Sequence, residues 1–525
     1  MWRSFVIMCA LSCSLALAPA QEPVDLLIRN GDIIDGSGKK AFRADVAIQG
    51  GVIVRLGSLR SLKAKEVIDA TGLVVAPGFI DAHTHADGIE RNPLAENFVR
   101  MGVTSVVAGN CGGSTLEVAQ EFQRIRATGI AVNFATLVGH NSVRQAVMGT
   151  ERRAPTAEEL SRMKDLVTRA MSEGAIGFST GLQYVPGTYA ETGEIIELAK
   201  AAAALGGLYA THMRNEGTEI DKAVAEAIKV GESARCPVQI SHLKIDSPSQ
   251  WGAGKRVLSL MAEARRRGGV VHADQYAYEA GSAGLSIRFP SWVLEGGRNQ
   301  ITQRLNDPAT WQTIKREMIG MLEERGFHDL SWAVVSSYRA DPSLEGLSVK
   351  DIALKLKRDD SGDAQLEVAR ELMIRGGAGM VYHFMSEDDI VSIMRDPQVS
   401  AGSDSGILAF GEGVPHPRGY GNNPRILGRY VREQKVISLE EAIRKITSLP
   451  ASQFGFKKRG MIQKGYAADL VLFSRETVSD RATYANPHQY PDGIPIVIVN
   501  GVPVLRNGKC TGARPGQILA SSGGR

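Results

Sequence analysis

Short apolar stretches typical of β-strands alternate with amphipathic helical stretches through most of this chain. This alternation restricts the fold more than any other feature of the sequence. The helical spacing of apolar residues is clearest in 157–172 and 219–234. Eight strands can be assigned, at 75–83, 103–108, 132–138, 175–179, 208–212, 238–242, 270–274 and 399–404. Eight successive strand–helix units predict a closed parallel (β/α)8 TIM barrel of the α/β class.

The barrel is predicted to occupy residues 76–450, which is more than the roughly 250 residues that such a barrel needs. Most of the surplus lies in residues 281–380, where no strand ends in a polar signature. We interpret this stretch as an inserted, lid-like segment that is mostly helical, with a strand at 332–337.

Both ends of the chain have a different character, because short strands there are separated by turn dipeptides. Asn30-Gly31, Gly50-Gly51 and Asn500-Gly501 each follow an apolar run. Residues 21–75 and 451–525 are therefore predicted to pair into one small β-sandwich domain. The Gly/Ser-rich tail from Ser521 is expected to be loose.

Residues 1–20 have the pattern of a secretory signal peptide. Arg3 precedes the apolar run 5–18, and Ala18-Pro19-Ala20 is a small-x-small cleavage pattern. The run is too short for a membrane span. Cleavage near Ala20 would place the protein in the periplasm or outside the cell. Lipoprotein anchoring at Cys13 is the less favoured alternative, because it would cut the apolar run short.

Composition narrows the class of protein. Hydrophobic residues make up 43% and charged residues 22%, which excludes a disordered or fibrous chain. The net charge of +4 is too small to indicate binding to nucleic acid. Three thiols would remain after cleavage, at Cys111, Cys236 and Cys510, and at least one should be free or bound to something. The oligomeric state stays open.

Chemistry in a barrel of this kind takes place at the carboxyl ends of the strands. The His83-Thr84-His85 motif places two imidazoles on the same side of a strand. His212 and His242 are 30 residues apart, the length of one strand–helix unit, so they should be neighbours at the rim. These positions predict a metal site, whose candidate residues at strand ends are His83, His85, Cys111, His212, His242 and Asp404.

The sequence that precedes His83 makes the metal site specific. Ala76-Pro77-Gly78-Phe79-Ile80-Asp81 followed by His-x-His resembles the first barrel strand of the amidohydrolase superfamily. Many members of that superfamily bridge two metals with a carboxylated lysine at the end of the fourth strand. Here that strand, 175–180, contains no lysine. Cys111 is the best candidate to supply the missing anion, because a thiol that binds a divalent cation is deprotonated.

Further motifs, in the same order along the chain from about Leu26 to Phe473, resemble the D-aminoacylases, which are N-acyl-D-amino-acid deacylases. These motifs are Gly109-Asn110-Cys111-Gly112, Phe178-Ser179-Thr180-Gly181, Thr211-His212-Met213-Arg214, Ile240-Ser241-His242-Leu243-Lys244, Gly402-Ser403-Asp404 and His416-Pro417-Arg418.

The resemblance implies a role for each matching position. Cys111, His212 and His242 would hold a tightly bound Zn²⁺, and His83 and His85 would form a second, weaker metal position. Asp404 would be the general acid and base. Tyr184, Lys244 and Arg418 would engage the substrate, since an α-carboxylate needs a cationic partner.

The expected reaction is zinc-dependent hydrolysis of an N-acyl-D-amino acid to a carboxylate and a free D-amino acid. The alternatives are a dipeptidase or a cyclic-amide hydrolase, and the absent lysine counts against the latter. A scaffold without activity is disfavoured, because every ligand position is filled. Ser405 after Asp404, and the missing proline between Tyr276 and Tyr278, depart from the family pattern and leave substrate preference open. His140 and His383 are further pocket candidates, and the 281–380 segment is expected to contribute to acyl-chain choice.

Overall fold

The computed structural model describes residues 22–521. The predicted signal peptide, Cys13 and the end of the Gly/Ser-rich tail lie outside this range. Within it, no helix is both long enough and apolar enough to cross a membrane.

The strands, in chain order, are β1 Val24–Ile33, β2 Phe42–Gln49, β3 Val52–Gly57, β4 Ala64–Asp69, β5 Val74–Pro77, β6 Phe79–Asp81, β7 Thr84–His85, β8 Val103–Ala108, β9 Asn133–Thr136, β10 Val138–Gly139, β11 Gly177–Gly181, β12 Leu208–His212, β13 Val238–Ile240, β14 Val271–Gln275, β15 Ala280–Gly284, β16 Ala333–Ser337, β17 Gly379–His383, β18 Val399–Ala401, β19 Ser405–Gly406, β20 Leu470–Phe473, β21 Ile496–Val499, β22 Val502–Arg506 and β23 Lys509–Cys510.

The α-helices are α1 Glu96–Arg100, α2 Val118–Thr128, α3 His140–Met148, α4 Ala157–Ser172, α5 Thr192–Ala203, α6 Ile220–Ala234, α7 Gly254–Arg266, α8 Arg298–Asn306, α9 Pro308–Arg325, α10 Val349–Lys355, α11 Gly362–Ile374, α12 Glu387–Met394, α13 Arg418–Arg425, α14 Leu439–Ile446 and α15 Ser448–Gln453. A π-helix, Ile426–Glu433, follows α13. Short 3₁₀ helices are Ile89–Arg91, Gly187–Tyr189, Pro248–Gln250, Leu285–Arg288, Ser291–Leu294 and Pro342–Leu344.

The predicted parallel barrel is confirmed. Strands β6, β8 and β9 pair side by side, and β10 to β14 continue to β18 in parallel order. Only Leu137 separates β9 from β10, so the two form one barrel strand. The barrel closes between its last and first strands, where Ala82 N donates to Ala401 O at 3.2 Å.

The first predicted strand, 75–83, is wrong in its extent because it is split at Gly78. Strand β5 belongs to the sheet made from the chain ends, whereas β6 belongs to the barrel. A Cβ atom at Gly78 would lie 2.2 Å from Thr104 Oγ1, so only glycine lets the chain pass so close to β8.

The chain ends form one nine-stranded sheet, as predicted for the small β-sandwich domain. Its order is β23-β22-β21-β20-β5-β1-β2-β3, and β4 also pairs with β1. Its apolar residues from both chain ends pack on one another, for example Ile28, Val46 and Leu470. The sandwich therefore depends on strands that are more than 400 residues apart in the sequence.

One predicted turn in this sheet is wrong. Gly50-Gly51 and Asn500-Gly501 do connect antiparallel neighbours, but Asn30-Gly31 lies inside β1. Asn30 has φ 62°, and the pairing with β2 shifts register at this point. The bulge has a structural reason, because β1 pairs with β4 before it and with β5 after it.

The inserted segment contains helices α8 to α11, as expected, and the predicted strand appears as β16. The expectation of a single strand is wrong, since β15, β16 and β17 form an antiparallel sheet. Strand β15 reads Ala-Gly-Ser-Ala-Gly, a composition with little β-propensity, so its pairing with β17 is a tertiary effect. Trp332 stacks on Phe327 with ring centroids 4.0 Å apart and packs this sheet onto the helices.

A buried polar network joins the barrel to the terminal sheet. Asp469 is 5% exposed, forms an ion pair with Arg459, and accepts hydrogen bonds from Asn133 Nδ2 at 3.1 Å and Asn500 N at 2.7 Å. Asn500 Nδ2 donates in turn to Asn133 Oδ1 at 2.8 Å. Since Asn133 begins β9 of the barrel, one carboxylate holds both sheets in register.

We expect Asp469→Ala to lower the free energy of unfolding by about 3 kcal/mol, because it leaves the Arg459 guanidinium buried without its counterion. Urea titration followed by circular dichroism measures the change. Asp492→Ala is the control: Asp492 pairs with Arg481 where both side chains are more than half exposed, so it should change stability little. Equal effects of both substitutions would contradict the role assigned to the network.

Candidate metal centre and substrate pocket

The six predicted strand-end residues come together at the carboxyl end of the barrel. Three of them have the left-handed backbone that side chains rarely adopt, with φ of 53° at Cys111, 35° at His242 and 53° at Asp404. Hydrogen bonds fix two of these turns: His242 N donates to Asp274 Oδ1 at 2.7 Å, and Asp404 N donates to His83 O at 2.8 Å. Such strain is typical of functional positions, where it sets the direction of a side chain.

The Cys111 thiol lies at the centre of the cluster. Its Sγ is 3.4 Å from His83 Nε2, 3.5 Å from His242 Nε2 and 3.8 Å from His212 Nδ1, and the two last nitrogens are 2.9 Å apart. Ligands of one tetrahedral zinc ion are separated by roughly 3.3–3.6 Å, given bond lengths of ~2.3 Å to sulfur and ~2.0–2.1 Å to nitrogen. The two shorter sulfur–nitrogen distances match this spacing, and thiolate and imidazole are donors that zinc prefers, so the donor set suits a divalent metal ion of this type.

Each of these imidazoles directs its other ring nitrogen toward an oxygen. His242 Nδ1 is 3.0 Å from Glu216 Oε1, His212 Nε2 is 3.1 Å from Gln183 Oε1, and His83 Nδ1 is 3.4 Å from Asp274 Oδ1. Gln183 Oε1 accepts a hydrogen bond from His212 Nε2, which leaves His212 Nδ1 free to bind a metal, whereas His242 Nδ1 lies between Glu216 Oε1 and Lys244 Nζ, which is 2.7 Å away. The arrangement thus sets the ring orientation that metal binding needs.

The environment of the thiol favours the thiolate. Burial alone would raise the pKa of Cys111, but the neighbouring His83 and His242 imidazoles outweigh it and hold the pKa well below its usual range. A thiolate is the form that binds metals. Because its sulfur is within 4 Å of imidazoles from three barrel strands, Cys111 can take the place of the carboxylated lysine that the fourth strand lacks.

Asp404 lies beside His83 and His85. Its Oδ1 is 3.1 Å from His85 Nε2 and 3.5 Å from His83 Nε2, and its Oδ2 is 2.9 Å from Arg418 Nη1. Burial would raise the pKa of Asp404, but Arg418 and the imidazoles lower it well below its usual range. Asp404 is therefore a carboxylate that can accept a proton.

Two of the predicted substrate residues, Tyr184 and Lys244, line the cavity, and Arg418 contacts its lining through Asp404. Tyr184 Oη is 3.3 Å from His212 Nδ1, and Lys244 Nζ donates to Glu216 Oε1 at 2.7 Å. The Arg418 guanidinium lies 4.5 Å from the centre of the Tyr276 ring.

Three residues that complete this site were missed by the sequence analysis: Gln183, Glu216 and Asp274. Asp274 is the fourth residue of β14, so the strand-end rule could have found it. Glu216 follows His212 by four residues in a loop, and no sequence pattern indicates that its carboxylate returns to His242 and Lys244. Burial would raise the pKa of Glu216, but Lys244 and the imidazoles of His212 and His242 outweigh this effect and lower the pKa.

Two other candidates lie elsewhere. His140 is buried, and its Nε2 is 2.8 Å from Glu194 Oε1. The same carboxylate also forms an ion pair with Arg144. His383 is exposed, and its ring packs against Tyr484. Neither residue lines the cavity above the metal ligands.

The inserted segment forms one wall of that cavity. The residues it contributes are Gly281, Ser282, Ala283, Ile287 and Arg288, and Tyr382 and Phe384 follow shortly after its end. The opposite wall consists of metal-site residues and their partners, among them His212, His242 and Asp404. Small residues in β15 leave space between the two walls.

A parallel barrel with a thiolate, imidazoles and a carboxylate at its strand ends defines a metal-dependent hydrolase. Comparison with known proteins agrees. The sequence model of the amidohydrolase family matches residues 66–301 and 371–505. The unmatched interval between them lies in the inserted segment.

Two kinds of relative are similar over nearly the whole chain. The D-aminoacylase of Alcaligenes xylosoxydans xylosoxydans is 37% identical over 95% of this chain and 98% of its own length. A second relative is the N-acyl-D-glutamate deacylase from Bordetella bronchiseptica, whose crystal structure contains zinc and a phosphonate inhibitor. Its sequence is 34% identical to this one, and the two structures match with a TM-score of 0.82 over 95% of this chain and 100% of the deacylase chain. A structure from a study of the binuclear metal centre of D-aminoacylase has the same TM-score of 0.82 at 33% identity over 95% of this chain and 100% of that one. This chain belongs to the amidohydrolase family and, within it, to the D-aminoacylases.

We expect Glu216→Gln to weaken metal binding by roughly 10- to 100-fold, the usual effect of losing a carboxylate behind a ligating histidine. The change removes the negative charge that lies 3.0 Å from His242 Nδ1 and leaves the Lys244 ammonium without its counterion beside the ligands. Competition with a chromophoric chelator measures the metal dissociation constant. Glu219→Gln, an exposed change three residues away that affects the pair with Lys222, is the control. An unaltered constant in Glu216→Gln would refute the assignment.

Proposed function

We propose that this enzyme hydrolyses the amide bond of N-acyl-D-amino acids, with zinc as its metal, and releases a carboxylate and a free D-amino acid. The observation that carries the proposal is the position of the Asp404–Arg418 ion pair directly beside the imidazoles that surround Cys111. A metal-ligand set and a positively charged group for an α-carboxylate then face the same substrate. The relatives named above support this choice of reaction.

Zinc would be held tightly by Cys111, His212 and His242, and a second, weaker position would be formed by His83 and His85 beside the same sulfur. When bound, zinc supplies Lewis acidity, which lowers the pKa of water and polarises an amide carbonyl. The protein's part is to supply a dense donor set whose outer ring nitrogens lie 3.0–3.4 Å from oxygens of Glu216, Gln183 and Asp274.

Asp404 is the group that moves the proton. Its Oδ2 is held by Arg418, while Oδ1 faces the histidines. As a carboxylate it can accept a proton at Oδ1 from the attacking water and then deliver that proton to the leaving nitrogen of the amide. Arg418 both orients this carboxylate and keeps it ionised.

The substrate α-carboxylate would be bound by Arg418, with Lys244 nearby. The Arg418 Nε atom is buried and has no hydrogen-bond partner among residues 22–521, so a donor is available to a ligand. Lys244 is held by Glu216 and His242, which fixes its position at the edge of the ligand set. An α-carboxylate fixed by these cations, together with an amide group fixed at the metal site, would orient the α-carbon, which is the basis for choosing one enantiomer.

The test is hydrolysis of N-acetyl-D-methionine, N-acetyl-D-glutamate and their L enantiomers by zinc-loaded protein. We expect release of D-amino acids only, and a loss of about 10³-fold or more in Cys111→Ala, in line with the loss of an essential catalytic group. Cys236→Ala, at a buried thiol far from the cavity, is the matched control and should retain activity. Full activity in Cys111→Ala, or cleavage of dipeptides alone, would contradict the proposal.

We also propose that the protein is exported, on the basis of the sequence pattern of residues 1–20. The expected mature N-terminus is Gln21, which mass spectrometry of the protein from an extracellular or periplasmic fraction would identify. An N-terminus at Met1, or an acylated Cys13, would contradict cleavage near Ala20.

A further inference from the structure

His416 is a buried histidine to which the catalytic scheme gives no role. The residue is 5% exposed, and both of its ring nitrogens are hydrogen-bonded. Nδ1 accepts from the backbone N–H of Arg418 at 3.0 Å, and Nε2 donates to Ala280 O at 2.9 Å. An imidazole that accepts at one nitrogen and donates at the other is neutral, so the two bonds together define its tautomer.

Three aromatic rings surround this imidazole. The centre of the His416 ring lies 5.3 Å from that of Tyr484, 5.4 Å from that of Tyr278 and 6.0 Å from that of Tyr276. Burial and the nearby Arg418 guanidinium hold the pKa of His416 well below its usual range. The ring is thus kept neutral and fixed in direction by its surroundings as well as by its hydrogen bonds.

The two hydrogen bonds of His416 join parts of the site that come from distant segments of the chain. Arg418 is the first residue of α13, and its Nη1 lies 2.9 Å from Asp404 Oδ2. Ala280 begins β15, whose next three residues line the cavity. His416 therefore sets the position of Arg418 relative to the cavity wall.

The bond to Arg418 N fixes the start of α13. The first N–H groups of an α-helix have no partner within the helix, and a side chain usually accepts one of them. The N-cap residue of α13 is Pro417, whose side chain has no acceptor, and His416 supplies the acceptor from one residue earlier. The imidazole thus holds the backbone from which the guanidinium extends to Asp404.

The loop that ends at Arg418 has a second support. Asn97 of α1 is 2% exposed, and its Nδ2 donates to Gly406 O at 3.2 Å and to Gly419 O at 3.1 Å, which joins the outgoing and returning ends of the loop. This support does not involve His416. We therefore expect substitutions of His416 to leave the loop folded and to change only the placement of Arg418.

We propose that His416 is a positioning residue for the reaction, which fixes Arg418 where its guanidinium holds Asp404 and meets the substrate α-carboxylate. His416 acts through Arg418 and not on the reacting atoms. This inference rests on the proposed deacylase function and deepens it. A packed core histidine would contribute stability alone, whereas a positioning residue also determines how substrate is bound and turned over.

The experiment uses two substitutions that separate the two hydrogen bonds. Asparagine ends near the place of Nδ1, so Oδ1 in His416→Asn can still accept from Arg418 N. Glutamine reaches the place of Nε2, so His416→Gln can keep the bond to Ala280 O but loses the one to Arg418. The values of kcat and KM are measured with zinc-loaded enzyme on N-acetyl-D-methionine and N-acetyl-D-glutamate.

We expect kcat/KM to fall by about 10²-fold in His416→Gln, the order of loss when a catalytic group is misplaced by about 1 Å, and by less than about 10-fold in His416→Asn. In His416→Gln both a lower kcat and a higher KM should contribute, because Arg418 serves both Asp404 and the α-carboxylate. A structural defect would instead reduce the fraction of active enzyme, which lowers kcat and leaves KM unchanged.

His140→Gln is the matched control. His140 is also a buried histidine, and it is bonded to Glu194 away from the cavity. Its substitution should lower the Tm and leave KM at the wild-type value. Zinc content per chain is measured in every variant, and we expect equal contents, so that a loss of activity cannot be a loss of metal.

The outcomes separate this inference from the proposed function. Suppose that wild type releases D-amino acids and that His416→Asn loses as much activity as His416→Gln, or more. The positioning role is then refuted and the deacylase function stands. A fall in kcat alone in His416→Gln, in parallel with its Tm, would also refute the role. If wild type cleaves neither substrate, the deacylase function itself fails and this inference fails with it.

Discussion

The need of a buried thiolate for positive charge is the constraint on which the active end of this barrel depends. Cys111 lies within 4 Å of three imidazoles from separate strands, and these rings lower its pKa against the effect of burial. Nitrogen and sulfur donors at such distances repel or share protons unless a cation lies among them. Barrel closure brings the donors together, and the left-handed backbone at Cys111 and His242 directs them inward.

Around this cluster, charges are arranged in pairs that position one another. Glu216 holds Lys244 and His242, and Asp404 is held by Arg418. Each carboxylate thus serves both a cation and an imidazole, so removing one would disturb both metal ligands and substrate groups. The inserted segment adds the guanidinium of Arg288, which packs on the rings of Trp332 and Tyr382 at the opposite wall of the cavity.

The sequence was sufficient for the barrel because eight separate strands repeat one local pattern, and each local pattern reflects burial on both faces. It was less informative where a residue's partner is distant. Asn30-Gly31 has the composition of a hairpin turn, yet it forms a bulge because β1 must change neighbours there. Gly78 interrupts a continuous apolar run because Thr104 is too close for a side chain.

The sequence by itself determined the architecture and the set of chemical groups: strand-end histidines, one cysteine and one aspartate, whose order along the chain resembles one family. Only the tertiary structure decided how these groups act together. The carboxylate of Glu216 behind the ligands, and the guanidinium of Arg288 at the cavity wall, depend on distances between loops that no local pattern encodes. Local propensity is a property of short segments, whereas electrostatic pairing depends on burial and on angstrom-scale separation.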